Sequence, residues 1–164
     1  LLRFTETYRS LSKITKANVS KFVLIELFDH VQQLMQPNLE KKNIVLEVIL
    51  RDPFLSLEAD SALIEQVLIN LLLNAIDAVK NNPNPKIVIT GEASLTGKIT
   101  ISVADNGSGI PQELLDKIFI PFFSTKKTGS GIGLSLCKQV MVLHKGSINV
   151  QSLEGEGTVF VLGF

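Results

Sequence analysis

Several features that define common protein classes are missing from this sequence. Its only cysteine, Cys137, excludes an internal disulfide and fits a reducing compartment. Neither charge is in excess, since 16 Lys and Arg balance 16 Asp and Glu, so no overall field favours nucleic acid or an anionic membrane. No cleavable signal pattern is present, and polar residues interrupt the most apolar stretch, residues 63–79. We therefore expect no nucleic-acid partner, no membrane contact by this chain and a cytoplasmic location.

What the chain does contain is enough apolar material for one core. It has 164 residues, of which 45% are hydrophobic, so we expect one globular domain at residues 20–164. Before it, Leu1, Phe4, Tyr8 and Leu11 are spaced by three, four and three residues, as in a helix that packs against partner helices. We interpret residues 1–19 as the end of a longer helix followed by a linker. A short amphipathic helix docked on its own domain is the alternative.

Apolar periodicity predicts an alternation of helices and strands. Helices are expected at residues 22–36, where Pro37 should stop the pattern, and at 62–80 and 132–143. Strands are expected at residues 44–50, 55–58, 86–92, 98–104, 147–152 and 158–164. Asp60 or Ser61 is a suitable N-cap for the second helix. No internal repeat is present.

The helix predicted at residues 62–80 is apolar on almost every side. Its exception is a polar stripe formed by Gln66, Asn70, Asn74 and Asp77, spaced by four, four and three residues. A helix that is hydrophobic all round is buried, so such a stripe faces either a satisfied polar network or a cavity. The side-chain carbonyl of Asn74 could serve as an oxygen ligand for Mg²⁺.

Two glycine clusters, residues 105–109 and 129–133, enclose a long connection at residues 110–128. Loops of that length inside a compact domain are usually functional, so we expect a lid over a ligand. Asp105 follows a predicted strand, and its carboxylate can accept a hydrogen bond from an exocyclic amine such as that of adenine. The second cluster opens a helix, whose N-terminal N–H groups suit phosphate. The segment is therefore predicted to be a nucleotide site with a mobile cover.

Each of these signals also has a simpler explanation. Asn106-Gly107 is typical of an ordinary hairpin turn, although Gly109 and Pro111 do not start a returning strand. Lys126 could reach a phosphate or could be solvated. The aromatic run at residues 119–123 could anchor the lid or a partner, or could be plain core.

In combination, the motifs resemble the ATP-binding domain of bacterial sensor histidine kinases, in the superfamily that includes gyrase and MutL. Residues 70–75 match the N box, residues 105–109 the first glycine box and residues 119–126 the F box. Residues 129–134 match the second glycine box, and residues 155–160 a further one. The resemblance covers roughly residues 20–164, and the N-terminal seam resembles the end of a dimerisation and histidine-phosphotransfer helix.

The resemblance implies a fold, a ligand and a set of site residues. The fold would be an α/β, two-layer sandwich in which three helices cover one face of a mixed sheet, with a long ATP lid. Asn74 would hold Mg²⁺, and Asn70, Asn74 and Lys126 would form the catalytic set. The nucleotide-binding set would be Asn74, Asp77, Asp105, Gly107, Gly109, Ile110, Lys126, Thr128, Gly129, Ser130, Gly131, Ile132, Gly133, Leu134 and Thr158. ATP and Mg²⁺ are the cofactors that it implies.

The resemblance also indicates the reaction. Gyrase-like hydrolases carry a general-base glutamate where this chain has Asn70, which favours phosphoryl transfer to a protein over hydrolysis. Neither His30 nor His144 lies in the family's acceptor motif. The implied acceptor is therefore a histidine of an upstream domain, in a homodimeric parent that also serves a response regulator and could be anchored in the inner membrane. This chain alone should not autophosphorylate. An anti-sigma-type serine kinase and a non-catalytic nucleotide-sensing scaffold are the alternatives.

Overall fold

The computed structural model describes residues 14–126 and 129–164, which form seven strands, three α-helices and one 3-10 turn. The strands are β1 (Ser20–Val23), β2 (Val45–Leu50), β3 (Ser56–Ala59), β4 (Lys86–Ala93), β5 (Ile99–Asp105), β6 (Ser147–Leu153) and β7 (Gly157–Gly163). The helices are α1 (Leu24–Lys41), α2 (Ser61–Ala78) and α3 (Gly133–Leu143), and the 3-10 turn is Gln112–Leu114. The N-terminal seam predicted at residues 1–11 lies outside the described residues.

Five strands form a mixed sheet in the order β2-β4-β5-β7-β6. β2 runs parallel to β4, and the other neighbours are antiparallel. Along β4 the residues Ile87 and Ile89 are fully buried, whereas the alternating residues Val88 and Thr90 are partly exposed, so the sheet has one core face. The three helices pack on that face, which confirms the predicted two-layer α/β arrangement.

The core lies between this face and the helices, and α2 is its central element. Seven residues of α2 are buried, among them Ile64, Leu68 and Leu72 without any exposure. Of the described helices, α2 alone is long and apolar enough to cross a membrane by length and composition. The sequence argument that polar interruptions rule this out was therefore too strong. It is packing that identifies α2 as a core helix, because its apolar residues lie against the sheet and the other helices.

Two features of the N-terminal part differ from the sequence prediction. Residues 20–23 were divided between linker and helix, but they form β1, which pairs antiparallel with β3. The first helix was expected to stop at Pro37, yet α1 continues to Lys41. A proline removes one backbone hydrogen bond. The helix continues because Met35 and Leu39 follow Val31 at spacings of four and bury their side chains in the core.

Candidate functional site

A cavity of about 1040 Å³ lies where α2, the end of β5 and the segment after it come together. Its lining includes most of the residues predicted from the sequence: Asn70, Asn74, Asp77, Asp105, Gly107, Gly109, Ile110, Lys126, Gly129, Ser130, Gly131, Gly133, Leu134 and Thr158. Ile132 does not line it, and its side chain is fully buried. Thr128 lies outside the described residues. The chain thus brings together groups up to 88 residues apart in sequence, from Asn70 to Thr158, in one cavity.

The polar stripe of α2 supplies one wall of the cavity. Asn70, Asn74 and Asp77 line it, whereas Gln66, one turn earlier, is exposed and does not. The Nδ2 group of Asn70 is buried and has no nitrogen or oxygen partner within the described part of the chain. The Asn70 side chain does contact the buried Cys137 thiol, which is a weak hydrogen-bonding partner. An oxygen acceptor on a ligand would satisfy the amide better than the thiol does.

Lys126 crosses the cavity mouth and contacts the same stripe. Its Nζ donates to the Asn74 Oδ1 at 3.2 Å and lies 3.0 Å from the Asp77 Oδ2. The other Asp77 oxygen receives Lys80 Nζ at 3.3 Å. Burial alone would raise the pKa of Asp77, but the contacts with Lys126 and Lys80 together outweigh it and lower that pKa. Asp77 is therefore ionised at neutral pH.

Asp105 is the last residue of β5 and adds a second carboxylate to the cavity lining. Its Oδ1 accepts a hydrogen bond from the Gly107 N–H at 2.8 Å. Burial raises the pKa of Asp105, and backbone N–H groups of Gly107 and Thr158 only partly oppose this. The result is a carboxylate that is poorly solvated and already oriented by the backbone.

The glycines of the first cluster are required by the protein itself. A Cβ on Gly107 would lie 2.5 Å from the backbone of Ala78, and one on Gly109 would lie 2.2 Å from the Leu153 carbonyl oxygen. Gly109 also has a φ of +69°, which favours glycine. The sequence argument expected these glycines to let the backbone approach a ligand. The structure shows that they let it approach α2 and the β6–β7 hairpin, and so press the turn after Asp105 against the domain.

Hydrogen bonds that the sequence did not reveal fix this turn in place. The Asn106 side chain accepts from the Lys86 N–H at 2.8 Å and donates to the Asn84 carbonyl at 2.8 Å. The Asn82 side chain donates to the Asn106 carbonyl at 2.5 Å. The Ser152 hydroxyl, on β6, accepts from the Ile110 N–H at 2.8 Å. Only the density of asparagine after α2 hinted at this network, because its partners are about 20 to 40 residues apart.

The lid is attached to the domain by Phe119. The Phe119 ring meets Phe160 of β7 edge to face at a centroid distance of 6.4 Å, and Lys138 Nζ lies 5.7 Å from the Phe119 centroid. Ile120 and Phe122 are about half exposed, at 51% and 46%. The aromatic run therefore divides, with Phe119 packed against the core and Phe122 at the surface.

Neither histidine lines the cavity. The Nδ1 of His144 donates to the Val140 carbonyl at 2.8 Å, and its Nε2 accepts from the Asp60 N–H at 2.9 Å. Asp60 also caps α2 by accepting from the Leu63 N–H, and it accepts from the Asn18 N–H at 2.8 Å. His30 pairs with Glu65 on the helix surfaces. Both histidines thus have structural partners, in keeping with the prediction that neither is the acceptor.

The residues present fit a Mg²⁺ ion with few protein ligands. Among the described residues, no group of three His, Cys, Asp or Glu side chains converges on a point. The Asn74 carbonyl oxygen, however, faces the cavity and already contacts a cation, the Lys126 ammonium. Magnesium favours oxygen ligands and keeps several waters, so one protein oxygen together with phosphate oxygens can suffice.

Comparison with known proteins identifies the family. Residues 59–164 match the model described as histidine kinase-, DNA gyrase B-, and HSP90-like ATPase. The sensor histidine kinase ZraS of Escherichia coli K12 is 36% identical over 162 residues, which are 99% of this chain and 34% of that protein. The chain thus spans about a third of the length of this curated relative.

Solved structures agree with the sequence matches. The nucleotide-free catalytic domain of histidine kinase ThkA superposes with a TM-score of 0.80 at 40% identity, covering 90% of this chain and 95% of that one. ThkA in complex with the response regulator protein TrrA gives a TM-score of 0.82 at 35% identity, covering 99% of this chain and 47% of that one. With its fold and the matched residues, the chain belongs to the histidine kinase-, DNA gyrase B- and HSP90-like ATPase family, as an ATP-binding catalytic domain of the sensor histidine kinase type.

Proposed function

We propose that this domain binds ATP together with Mg²⁺ and donates the γ-phosphoryl group to a histidine on an upstream dimerisation domain. The observation that carries the proposal is the cavity that Asp105, Asn74 and Lys126 line together, with Lys126 bonded to Asn74. An amine-accepting carboxylate and a cation-bearing oxygen in one cavity match the two ends of a Mg-nucleotide. The family membership supports nucleotide binding, and the geometry supports how it is arranged.

The adenine end would be formed by Asp105 and its neighbours. The free capacity of the Asp105 carboxylate can accept the exocyclic amine of adenine, which guanine lacks at that position. Gly107 and Gly109 hold the turn, and the Ile110 and Thr158 side chains line the same part of the cavity. Because this carboxylate is partly desolvated, a hydrogen bond to it is stronger than one in water.

The phosphate end would be formed by the second glycine cluster and the lid lysine. Gly129, Ser130, Gly131, Gly133 and Leu134 line the cavity at the start of α3, where backbone N–H groups and the helix dipole favour anions. Asn74 would hold Mg²⁺, which when bound offsets the negative charge of the phosphates. We further propose that Ile132 and Thr128 belong to the phosphate-binding set, and that Asp77 contributes to it indirectly, through its contact with Lys126.

The chemical step itself asks little of the protein. The bond between the γ-phosphorus and its bridging oxygen breaks, a bond to an imidazole nitrogen forms, and ADP leaves. Positioning and charge neutralisation dominate such transfers, so Asn74 and Lys126 would act by holding the phosphates in line. Asn70 is a poor base for activating water, which favours transfer over hydrolysis.

The partners and location belong to the whole protein. We propose that the parent is a homodimer through its histidine-phosphotransfer helices, passes the phosphoryl group to a response regulator, and places this domain in the cytoplasm beside an inner membrane. The recorded complex of ThkA with the response regulator protein TrrA supports a regulator partner for a protein of this type. The domain boundary is proposed at residues 19 and 20.

The decisive test combines the domain with the parent's upstream helix and labelled ATP. We expect acid-labile phosphate on that helix and none on the isolated chain. Asn74→Ala should abolish Mg²⁺-dependent transfer, whereas Gln66→Ala, on the same stripe but outside the cavity, should not. Acid-stable label on a partner would instead indicate a serine kinase. ATP binding without any transfer would indicate a nucleotide-sensing scaffold.

A further inference from the structure

One ammonium group occupies the cavity wall where a metal ion is proposed to bind. Lys126 Nζ lies 3.2 Å from the Asn74 Oδ1 and 3.0 Å from the Asp77 Oδ2. These are contacts between the lid and α2, across 52 residues of sequence to Asn74. The lysine predicted to reach a phosphate thus has two protein oxygens as partners instead.

The Asp77 carboxylate is well suited to hold a cation. It receives Lys126 on one oxygen and Lys80 on the other, and it is ionised at neutral pH because these two contacts lower its pKa despite its burial. Asn74 is neutral and could hold the ammonium only weakly by itself. Asp77 therefore supplies the charge that keeps Lys126 over Asn74.

We propose that Asp77 is a positioning residue that latches the lid lysine onto α2 until nucleotide arrives. Lys126 and Mg²⁺ are both cations that contact the Asn74 oxygen, so their charges repel and binding of one disfavours the other. Binding of Mg-ATP then releases Lys126 from Asn74 toward the phosphates, and the released lysine adds to phosphate binding. This inference rests on the proposed function, because it concerns the same Asn74 oxygen.

The latch predicts that removing the Asp77 charge strengthens Mg-ATP binding. Removing a charge that attracts the bound Mg²⁺ should weaken Mg-ATP binding, whereas removing a charge that only holds the lysine should strengthen it. The two side chains are 41% and 37% exposed, so solvent screens the pair and its contribution is modest. We expect Asp77→Asn to tighten Mg-ATP binding about two- to five-fold, the range that such exposed pairs produce.

The experiment compares four proteins by calorimetry: wild type, Asp77→Asn, Lys126→Gln and the double variant. Each is titrated with Mg-ATP and with adenosine, which lacks phosphates and reports on the adenine end alone. Adenosine affinity should be equal in all four. The gain from Asp77→Asn should vanish when Lys126 is already replaced. Lys86→Gln is the matched control, because it removes a lysine that is paired with another carboxylate, Glu47, outside the cavity, and it should leave Mg-ATP affinity unchanged.

A second readout needs no nucleotide. In urea unfolding of the ligand-free proteins, Asp77→Asn and Lys126→Gln should be non-additive, since each removes the same contact. Weaker Mg-ATP binding by Asp77→Asn would overturn the latch and assign Asp77 to the metal or nucleotide directly, and additive variants with unchanged binding would also overturn it. If wild type binds neither ligand, the proposed function fails, while the unfolding cycle still decides whether the latch exists.

Discussion

The lining around Asp105, proposed to bind adenine, and the lining around Lys126, proposed to bind phosphate, are built in different ways. At the adenine end, Asp105 and the turn after it are held by backbone and asparagine hydrogen bonds, and two glycines press the turn against α2 and the β6–β7 hairpin. At the phosphate end, the described residues Lys126, Gly129 and Ser130 are exposed, and the contacts of Lys126 with α2 are screened by solvent.

The difference shows which binding groups are preorganised before a ligand binds. A preorganised hydrogen-bond acceptor costs little entropy when a base binds to it. At the phosphate end, Mg²⁺ would displace the Lys126 ammonium from Asn74, so the position of Lys126 would depend on the bound ligand. In the proposed function, a rigid turn would bind the base and an adjustable segment would bind the phosphates, and each prediction below tests one side of this contrast.

The largest effect is expected from adding a side chain to the turn after Asp105. Gly107→Ala places a Cβ 2.5 Å from the Ala78 backbone, so the turn has to move and the free energy of unfolding should fall by about 2–3 kcal/mol. Gly133→Ala is the control from the other end, because its Cβ would meet only the Asn70 side chain, at 3.6 Å. It should change stability by less than about 1 kcal/mol. Equal losses in urea unfolding would contradict the contrast.

Asp105→Asn tests whether the carboxylate at the start of this turn binds adenine. Loss of a charged acceptor should weaken adenosine binding by about 1.5–3 kcal/mol, or roughly 10- to 100-fold, and reduce discrimination against guanosine. Stability should not fall, since the raised pKa of Asp105 shows that its charge is poorly solvated in the folded state. Asp116→Asn, an exposed carboxylate outside the cavity, is the control. Unchanged affinity and selectivity by calorimetry would exclude this role for Asp105.

Protonation of Asp105 and protonation of Asp77 should change the stability of the folded state in opposite directions. The pKa of Asp105 is raised, so its protonation begins above the usual 3.8, and adenosine affinity should fall as pH is lowered toward that value. The same proton uptake favours the folded state. The pKa of Asp77 is lowered, so its contribution to stability is complete above 3.8 and is lost only as pH falls through its folded pKa. Calorimetry between pH 7 and 4.5 should show a decline in wild type and none in Asp105→Asn.

The smallest effect is expected where the lid is attached. Lys138→Met keeps the apolar stem and removes the ammonium over the Phe119 ring, which should cost about 0.5–1 kcal/mol of stability. Lys21→Met, an exposed lysine on β1, is the matched control. Urea unfolding of both variants measures the difference. If the two variants lose the same stability, the contact between Lys138 and the Phe119 ring contributes nothing.

The sequence predicts the fixed parts of this domain better than the contacts between distant segments. The period of the polar stripe correctly placed Asn70, Asn74 and Asp77 on one face of α2, because a helix repeats its faces regardless of what surrounds it. It could not show that Gln66 lies beyond the cavity, since that depends on where the lid returns. Strand pattern predicted β2 to β7 but missed β1, whose four residues run directly into α1 with no turn residue between them.

Local rules also failed where tertiary packing decides. Pro37 normally ends a helix, yet the burial of Leu39 extends α1 past it. The sequence shows Gly107 and Gly109, but it does not show that they pack against Ala78 and Leu153, because these neighbours belong to other elements. The contact of Lys126 with Asn74 was out of reach for the same reason. Sequence reasoning thus finds candidate groups, and only the fold shows which of them touch.

The cap of α2 has a mechanical consequence. Asp60 bonds to residue 18 on one side and to His144 at the end of α3 on the other, while the same carboxylate caps α2. One residue thus connects the segment at residue 18 to the start of α2 and the end of α3, the two helices that line the cavity. A displacement of that segment is therefore transmitted to both helices at the same point.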